Sequence, residues 1–308
     1  MEQELNQQSA SAFEPVAEMT SYLLGGGGKR LRPALLLLAS SYAGYRGRSA
    51  VRLAAVVELI HSATLIHDDV IDGADTRRGR PSANARWGNH RSVLAGDWLY
   101  MQSFQMALEE RNFRILDILI ELTKSMVEGE LLQLAKLGKI DVTEDDALEL
   151  AASKTACLFS GCTRLGAVLG RMDEPSEQAL ADYGRYAGLA FQLVDDLLDF
   201  TASPEKLGKP VLSDLKEGKV TLPLIYAMED GNGRGRELVA AVLAEKDFVS
   251  VRPEQITALV RESGALDRAR QLAHDCARRA KTCLNGNLES DYARALATVP
   301  DFILERES

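Results

Sequence analysis

Apolar residues recur about every 3.6 positions along nearly the whole chain, the period of one helix face. Val51, Ala54, Val57 and Leu65 mark one such stretch, Leu116, Leu119, Ile120 and Leu122 a second, and Leu180, Tyr183, Ala187, Ala190 and Val194 a third. Clear strand alternation is missing, and Ala, Leu, Glu and Arg dominate the periodic stretches, as their helix propensities require. Gly and Pro punctuate the chain at residues 25–28, 44–47, 73–89, 138–143, 172–175, 203–218 and 231–235. The pattern predicts an all-α fold of about a dozen helices. No break in composition marks a boundary, so one domain over residues 1–308 is expected, a helical bundle with a central ligand cavity. Residues 73–89 and 203–218 are the longest stretches of low periodicity, and loops of that length are often functional lids.

Composition narrows the function. With 46% hydrophobic residues in 308 the chain can bury a large core. It carries 36 basic and 45 acidic residues, a net charge of −9, and has no basic arm, so nucleic acid is not an expected partner. The four cysteines lack C-x-x-C spacing, which argues against a cysteine metal site and for thiols in a reducing compartment. Met1 to Gln8 is polar, with neither the basic region nor the apolar core of a signal peptide, and a cytoplasmic location is expected. The longest strongly apolar run, Pro33 to Ala39, is far short of the roughly 20 residues that span a bilayer, so any membrane contact should be peripheral.

The chemistry lies in two copies of one acidic string, Asp68-Asp69-Val70-Ile71-Asp72 and Asp195-Asp196-Leu197-Leu198-Asp199, each closing an apolar helical stretch and each followed by one of the long loops. Carboxylates four residues apart on a helix share a face and repel unless a cation lies between them. Mg²⁺ suits such pairs because it takes one or two carboxylates, keeps several waters and shares substrate phosphates. A Mg²⁺-bound diphosphate is therefore the expected ligand. At 100° per residue His61, Asp68 and Asp72 fall in a stripe about 40° wide, and Gln192, Asp196 and Asp199 in one of about 60°. Cations surround both strings: Lys29 and Arg32 in a Gly-rich turn that is not a P-loop, Arg77 and Arg78 after the first string, Lys154-Thr155 in an apolar helix, and Lys209 and Lys219 bracketing the second loop. Six Asp against seven such cations leave the site nearly neutral, and two diphosphates with two or three Mg²⁺ would keep it so.

These residues resemble the trans-type polyprenyl diphosphate synthases, of the class I isoprenoid synthase fold, over nearly the whole chain. G-G-K-R-L-R-P at Gly27 to Pro33, H-D-D-V-I-D at His67 to Asp72, R-R-G-R-P at Arg77 to Pro81, G-D-W-L at Gly96 to Leu99, K-T-A at Lys154 to Ala156 and F-Q-L-V-D-D-L-L-D-F at Phe191 to Phe200 follow the family order. G-K-P at Gly208 to Pro210 and G-K-x-T-L-P at Gly218 to Pro223 match as well. The resemblance implies a Mg²⁺-dependent homodimer that elongates an allylic diphosphate with isopentenyl diphosphate. It implies that Asp68, Asp72 and Asp195 hold Mg²⁺ on the allylic diphosphate, assisted by Arg77, Lys154, Thr155, Gln192, Lys209 and Lys219. Lys29, Arg32, His61 and Arg78 would bind isopentenyl diphosphate, and Asp69, Asp196 and Asp199 complete the catalytic strings.

Product length follows, by the same resemblance, from the side chains just before the first string. Ala63 and Thr64, fifth and fourth before Asp68, are small, which leaves the floor open. The surroundings resemble the octaprenyl and solanesyl type more than the farnesyl type, implying an all-trans product of roughly seven to ten isoprene units. A short-chain farnesyl or geranylgeranyl synthase is the alternative. A class I terpene synthase would carry an N-S-E or D-T-E type second motif in place of Asp195 to Asp199, and a non-catalytic partner subunit would have lost acidic strings that this chain keeps.

Overall fold

The computed structural model describes residues 1–8, 14–77, 79–202, 211–229, 233–284 and 290–307, and it is helical nearly throughout. The predicted all-α class is what the chain forms. Its residues gather into two compact units, one of residues 1–123 and 161–181, the other of residues 124–160 and 182–308.

The first unit holds α1 (Glu2–Gln8), α2 (Glu14–Leu24), α3 (Leu31–Tyr42), α4 (Ser49–Ile71), α5 (Ala83–Trp87) and α6 (Asn89–Leu108), with parts of α7 (Phe113–Lys136), α9 (Cys157–Leu169) and α10 (Glu174–Thr201). Helix α4 is its centre, packed against α1, α3, α5 and α6. Every residue from Leu53 to Ile60 on it is buried. A helix apolar on all sides belongs in an interior, and each fully buried Leu, Ile or Val there contributes about 1.5–3 kcal/mol. Its 23 residues, read from sequence as a periodic helical stretch, are long and apolar enough to cross a bilayer, although no unbroken apolar run in them is that long. Most of the apolar window is buried against neighbouring helices, as in a core helix. One glycine sets how near α6 comes: a Cβ on Gly96 would lie 2.3 Å from His67 Nε2.

Residues 73–89, read from sequence as one loop, contain local structure. Thr76–Arg77 pairs antiparallel with Arg80–Pro81 (β1 and β2) around Gly79, whose φ of 71° is left-handed. Helix α5 follows, capped by Ser82, whose hydroxyl accepts from the Ala85 amide. Ser82 is a legible N-cap signal that apolar periodicity alone passes over. Helix α3 begins at Leu31, behind Arg30 in left-handed conformation, with Pro33 in its first turn.

In the second unit α8 (Glu144–Ala151) runs into a π-helical turn, Ala152–Ala156, before α9. Helices α11 (Ser213–Lys216), α12 (Leu222–Ala227), α13 (Arg234–Glu245), α14 (Pro253–Glu262), α15 (Ala265–Thr282) and α16 (Asp291–Leu304) follow, and a 3₁₀ turn at Glu305–Glu307 ends the described chain. The later part of α10 buries Tyr183, Ala187, Ala190 and Val194, of the periodic face read from sequence, and with them Leu193 and Leu197. Tyr183 Oη donates to the Leu296 carbonyl at 2.7 Å, and burial pushes its phenol pKa up.

Candidate active site

The first acidic string closes α4. Asp72 is the helix C-cap, its amide donating to the Asp68 carbonyl at 2.8 Å, so the two carboxylates lie one turn apart. Asp68 is partly exposed and Asp72 exposed. Asp69, a third of a turn away, is 2% exposed. Its Oδ1 receives Arg77 Nε at 2.7 Å and Nη2 at 2.6 Å, so one edge of the guanidinium is taken up by the inner carboxylate. At this helix end the apolar Ile71 is 45% exposed while Asp69 is inside. The cause is Arg77, which neutralises Asp69 and makes its burial tolerable.

Below this end the first unit has a pocket of about 620 Å³, including its open mouth, lined by His61, Arg30, Arg77, Arg80 and the Gly26-Gly27 backbone among others. Arg32 Nη1 lies 3.2 Å from His61 Nε2, which fits a neutral imidazole accepting on that nitrogen, with its proton on Nδ1. Two residues paired by the family resemblance are thus brought together. Lys29 is exposed in the preceding turn. Arg30 is held by Glu58, buried on α4, and by Glu2 at 2.8 Å. Ala63 is fully buried, and Thr64 Oγ1 donates to the His61 carbonyl at 2.8 Å. Arg78 lies outside the described residues.

The second string is built differently. Lys154 and Thr155 sit in the π-helical turn, a local distortion that recurs at functional sites. Gly129 of α7 lets the helix approach: a Cβ there would be 2.9 Å from the Lys154 amide nitrogen. Lys154 Nζ reaches Glu130 at 2.5 Å and Gln133 Oε1 at 3.2 Å. Thr155 Oγ1 donates to Gln192 Oε1 at 2.8 Å, which fixes the amide so that its Nε2 donates to Asp196 Oδ1 at 2.9 Å. Burial pushes the Asp196 pKa well above the usual carboxylate range, with Asp214, Asp195 and Asp199 adding to the effect and the Gln192 amide opposing it. Asp199, 1% exposed, accepts from Ser213 Oγ at 3.0 Å and from the Asp214 amide at 3.4 Å, tying α10 to the start of α11. Asp195 is half exposed and paired with Arg306 at 2.9 Å. Lys219 pairs with Glu217 at 2.7 Å, and Lys209 lies outside the described residues.

Three features were missed from sequence. Carboxylates outside the acidic strings, Glu130 and Glu217, take up basic charge assigned to the site, on Lys154 and Lys219, and Glu58 holds the neighbouring Arg30. Glu130 and Gln133 are an i, i+3 polar pair on α7, but that helix carries several other charged residues, so spacing alone does not single them out. Arg306, stacked 4.3 Å over the Phe191 ring as it meets Asp195, gave no periodic signal.

The donor chemistry fits a divalent ion shared with phosphate. Among the described residues no three His, Cys, Asp or Glu side chains form a ready-made cage. The motifs offer carboxylates singly or in pairs: Asp68 with Asp72, and Asp195. That is the set Mg²⁺ uses when phosphates and waters complete its shell.

The polyprenyl synthetase family model matches residues 14–260. The chain belongs to that family. It is 37% identical over 301 residues to the octaprenyl diphosphate synthase of Escherichia coli, covering 98% of this chain and 93% of the relative. It is also 37% identical over 298 residues to a short chain isoprenyl diphosphate synthase of Methanothermobacter thermautotrophicus, with 96% and 91% coverage. Among solved structures, a polyprenyl synthase from Caulobacter crescentus, complexed with calcium and isoprenyl diphosphate, superposes with a TM-score of 0.94 at 36% identity, covering 99% of this chain and 93% of that one. As a member of this family the chain has the isoprenoid synthase fold and is a prenyltransferase acting on isopentenyl and allylic diphosphates.

Proposed function

We propose that this polyprenyl synthase joins isopentenyl diphosphate to an allylic diphosphate repeatedly, with Mg²⁺, to give a long all-trans product of roughly seven to ten isoprene units. The observation that carries the metal-assisted reading is the geometry at the end of α4: Asp69 is buried against Arg77, while the carboxylates of Asp68 and Asp72 lie one turn apart and are less buried, a like-charged pair that a shared cation would offset. Asp68, Asp72 and Asp195 would hold the ions, and bound Mg²⁺ neutralises charge developing on the departing diphosphate. The protein's own cations do the rest. Arg77, fixed by Asp69, and Lys154, fixed by Glu130, present preorganised charge to an allylic diphosphate. Arg32 with His61, and Lys29 in the turn before α3, serve isopentenyl diphosphate. Loss of the allylic diphosphate generates a cation, the isopentenyl double bond attacks it, and the released diphosphate takes the proton.

The long product rests on Ala63 and Thr64, which put no bulky group before Asp68, and on likeness to the octaprenyl relative. The likeness to the short-chain relative keeps a shorter product as the second reading. We further propose a cytoplasmic homodimer. Its support is an exposed apolar row in the first unit: Leu94, Met101 and Leu108, seven residues apart on α6, are 67%, 64% and 47% exposed, and Phe113 on α7 is 81% exposed. Purified protein incubated with farnesyl and isopentenyl diphosphates and Mg²⁺, with products resolved by length, tests the reading. Condensation that survives both chelation and the Asp68→Asn and Asp195→Asn exchanges defeats the metal assignment. Products stopping at three or four units defeat the long chain.

A further inference from the structure

The pocket beneath α4 contains an arginine, the third of the R-R-G-R-P string, to which the assignments above give no role. Arg80, at the hairpin's second strand, lines the pocket with His61 and Arg77. Its guanidinium carbon sits 4.2 Å from the centre of the Tyr22 ring, and a Cβ placed on Gly26 would come within 3.9 Å of its Nη1. The other pocket arginines are already matched: Arg30 by Glu58 and Glu2, Arg77 by Asp69. For Arg80 no carboxylate lies within ion-pair distance among the described residues; its partner is the aromatic face. Stacking on a ring orients a guanidinium and leaves its N–H edge available, and a planar fork suits phosphate oxygens. Tyr22 is itself fixed, its hydroxyl donating to the Pro81 carbonyl at 2.9 Å and its ring meeting Trp87 edge-on at 5.0 Å.

We infer that Arg80, held by the Tyr22 ring, is a further binding residue for the diphosphate of isopentenyl diphosphate, in the pocket that also contains His61. This rests on the proposed condensation and adds a phosphate ligand to it. Among the arginines that line the pocket, Arg30 and Arg77 are matched by carboxylates, so Arg80 adds positive charge there to that assigned to Lys29 and Arg32. Tyr22 acts through Arg80 and is a positioning residue.

The test is steady-state kinetics in both substrates for Arg80→Gln, Arg80→Lys, Tyr22→Leu and Tyr22→Phe, with calorimetric binding of isopentenyl diphosphate and thermal melts alongside. Arg80→Gln should raise KM for isopentenyl diphosphate about tenfold, equivalent to roughly 1.4 kcal/mol, and weaken its binding equally. KM for the allylic substrate should stay within about twofold. Arg80→Lys should recover part of the loss, Tyr22→Leu should reproduce a milder form of it, and Tyr22→Phe, which keeps the ring but loses the bond to Pro81, should raise the isopentenyl KM less than Tyr22→Leu. An unchanged isopentenyl KM in Arg80→Gln overturns the inference, as does a loss spread over both substrates together with a lowered melting temperature, which would make the stack a structural staple. Wild-type protein that makes no prenyl diphosphate defeats the underlying function and this inference together; active wild type with an indifferent Arg80→Gln defeats this one alone.

Discussion

The hydrogen-bonded run from Thr155 through Gln192 to Asp196 can be tested as a unit. Thr155→Val removes one neutral hydrogen bond, about 1 kcal/mol, and leaves Gln192 Oε1 unmatched. Gln192→Leu removes both bonds, and because burial and neighbouring carboxylates keep Asp196 towards its neutral form, the second bond is weighed near the neutral value, giving about 2–3 kcal/mol in all. In the double variant the threonine has already lost its partner, so the two costs should fail to add by about 1 kcal/mol, against about 0.3–0.5 kcal/mol for independent sites. Urea unfolding of the four proteins in EDTA, followed by circular dichroism, reads this directly. The Gln192 amide lowers the Asp196 pKa, so Gln192→Leu should also weaken Mn²⁺ binding more than Thr155→Val does. Costs that add within about 0.3 kcal/mol would refute the relay and leave Thr155 and Gln192 as separate residues.

Three further outcomes are expected. Ala63→Phe should shorten the product in a chain-length assay and, because Ala63 is fully buried, cost about 1–3 kcal/mol by overpacking, seen as a lowered denaturation midpoint. Replacing Leu94 and Met101 together by Glu should convert a dimer to a monomer in light scattering, since like charges would replace the most exposed apolar positions of α6. Asp146 caps α8 with Thr143, and its pKa is lowered to about 2, chiefly by a hydrogen bond from Lys136 and then by Thr143. A depressed carboxylate stabilises the fold fully above its unfolded pKa and loses that contribution as pH falls through the folded value. The penalty of Asp146→Asn should therefore be about 1 kcal/mol at pH 6 and fade between roughly pH 4 and 2 in urea melts.

What could be read from the sequence is what depends on period and spacing. The alignment of His61 with Asp68 and Asp72, and of Gln192 with Asp196, follows from 100° per residue and needs no tertiary information. What could not be read is which side of a helix end turns inward, because a partner far along the chain decides it. Asp69 rather than Ile71 is buried because Arg77 comes back on a two-residue ladder around Gly79. Asp199 binds Ser213 and the Asp214 amide, although by spacing it is equivalent to Asp72. The π-helical turn is silent in sequence, since Ala-Ser-Lys-Thr-Ala would serve equally in an ordinary α-helix; its distortion comes with the close approach that Gly129 permits.

Product length falls in the same class. The chain is 37% identical to an octaprenyl synthase and 37% identical to a short-chain one, so the two chemistries share the scaffold and the bulk of the sequence. Whatever separates them must lie in a few side chains along the growing product's path. There each added unit either meets open space or must displace a packed side chain, a difference of about 1–3 kcal/mol per methylene-sized step. At the foot of the first motif this chain offers Ala63, buried and small, and Thr64, its hydroxyl bonded back to the helix at the His61 carbonyl. Neither places bulk there. A stop at this level would have to come from another element, which is why lengthening one side chain at position 63 is the informative change.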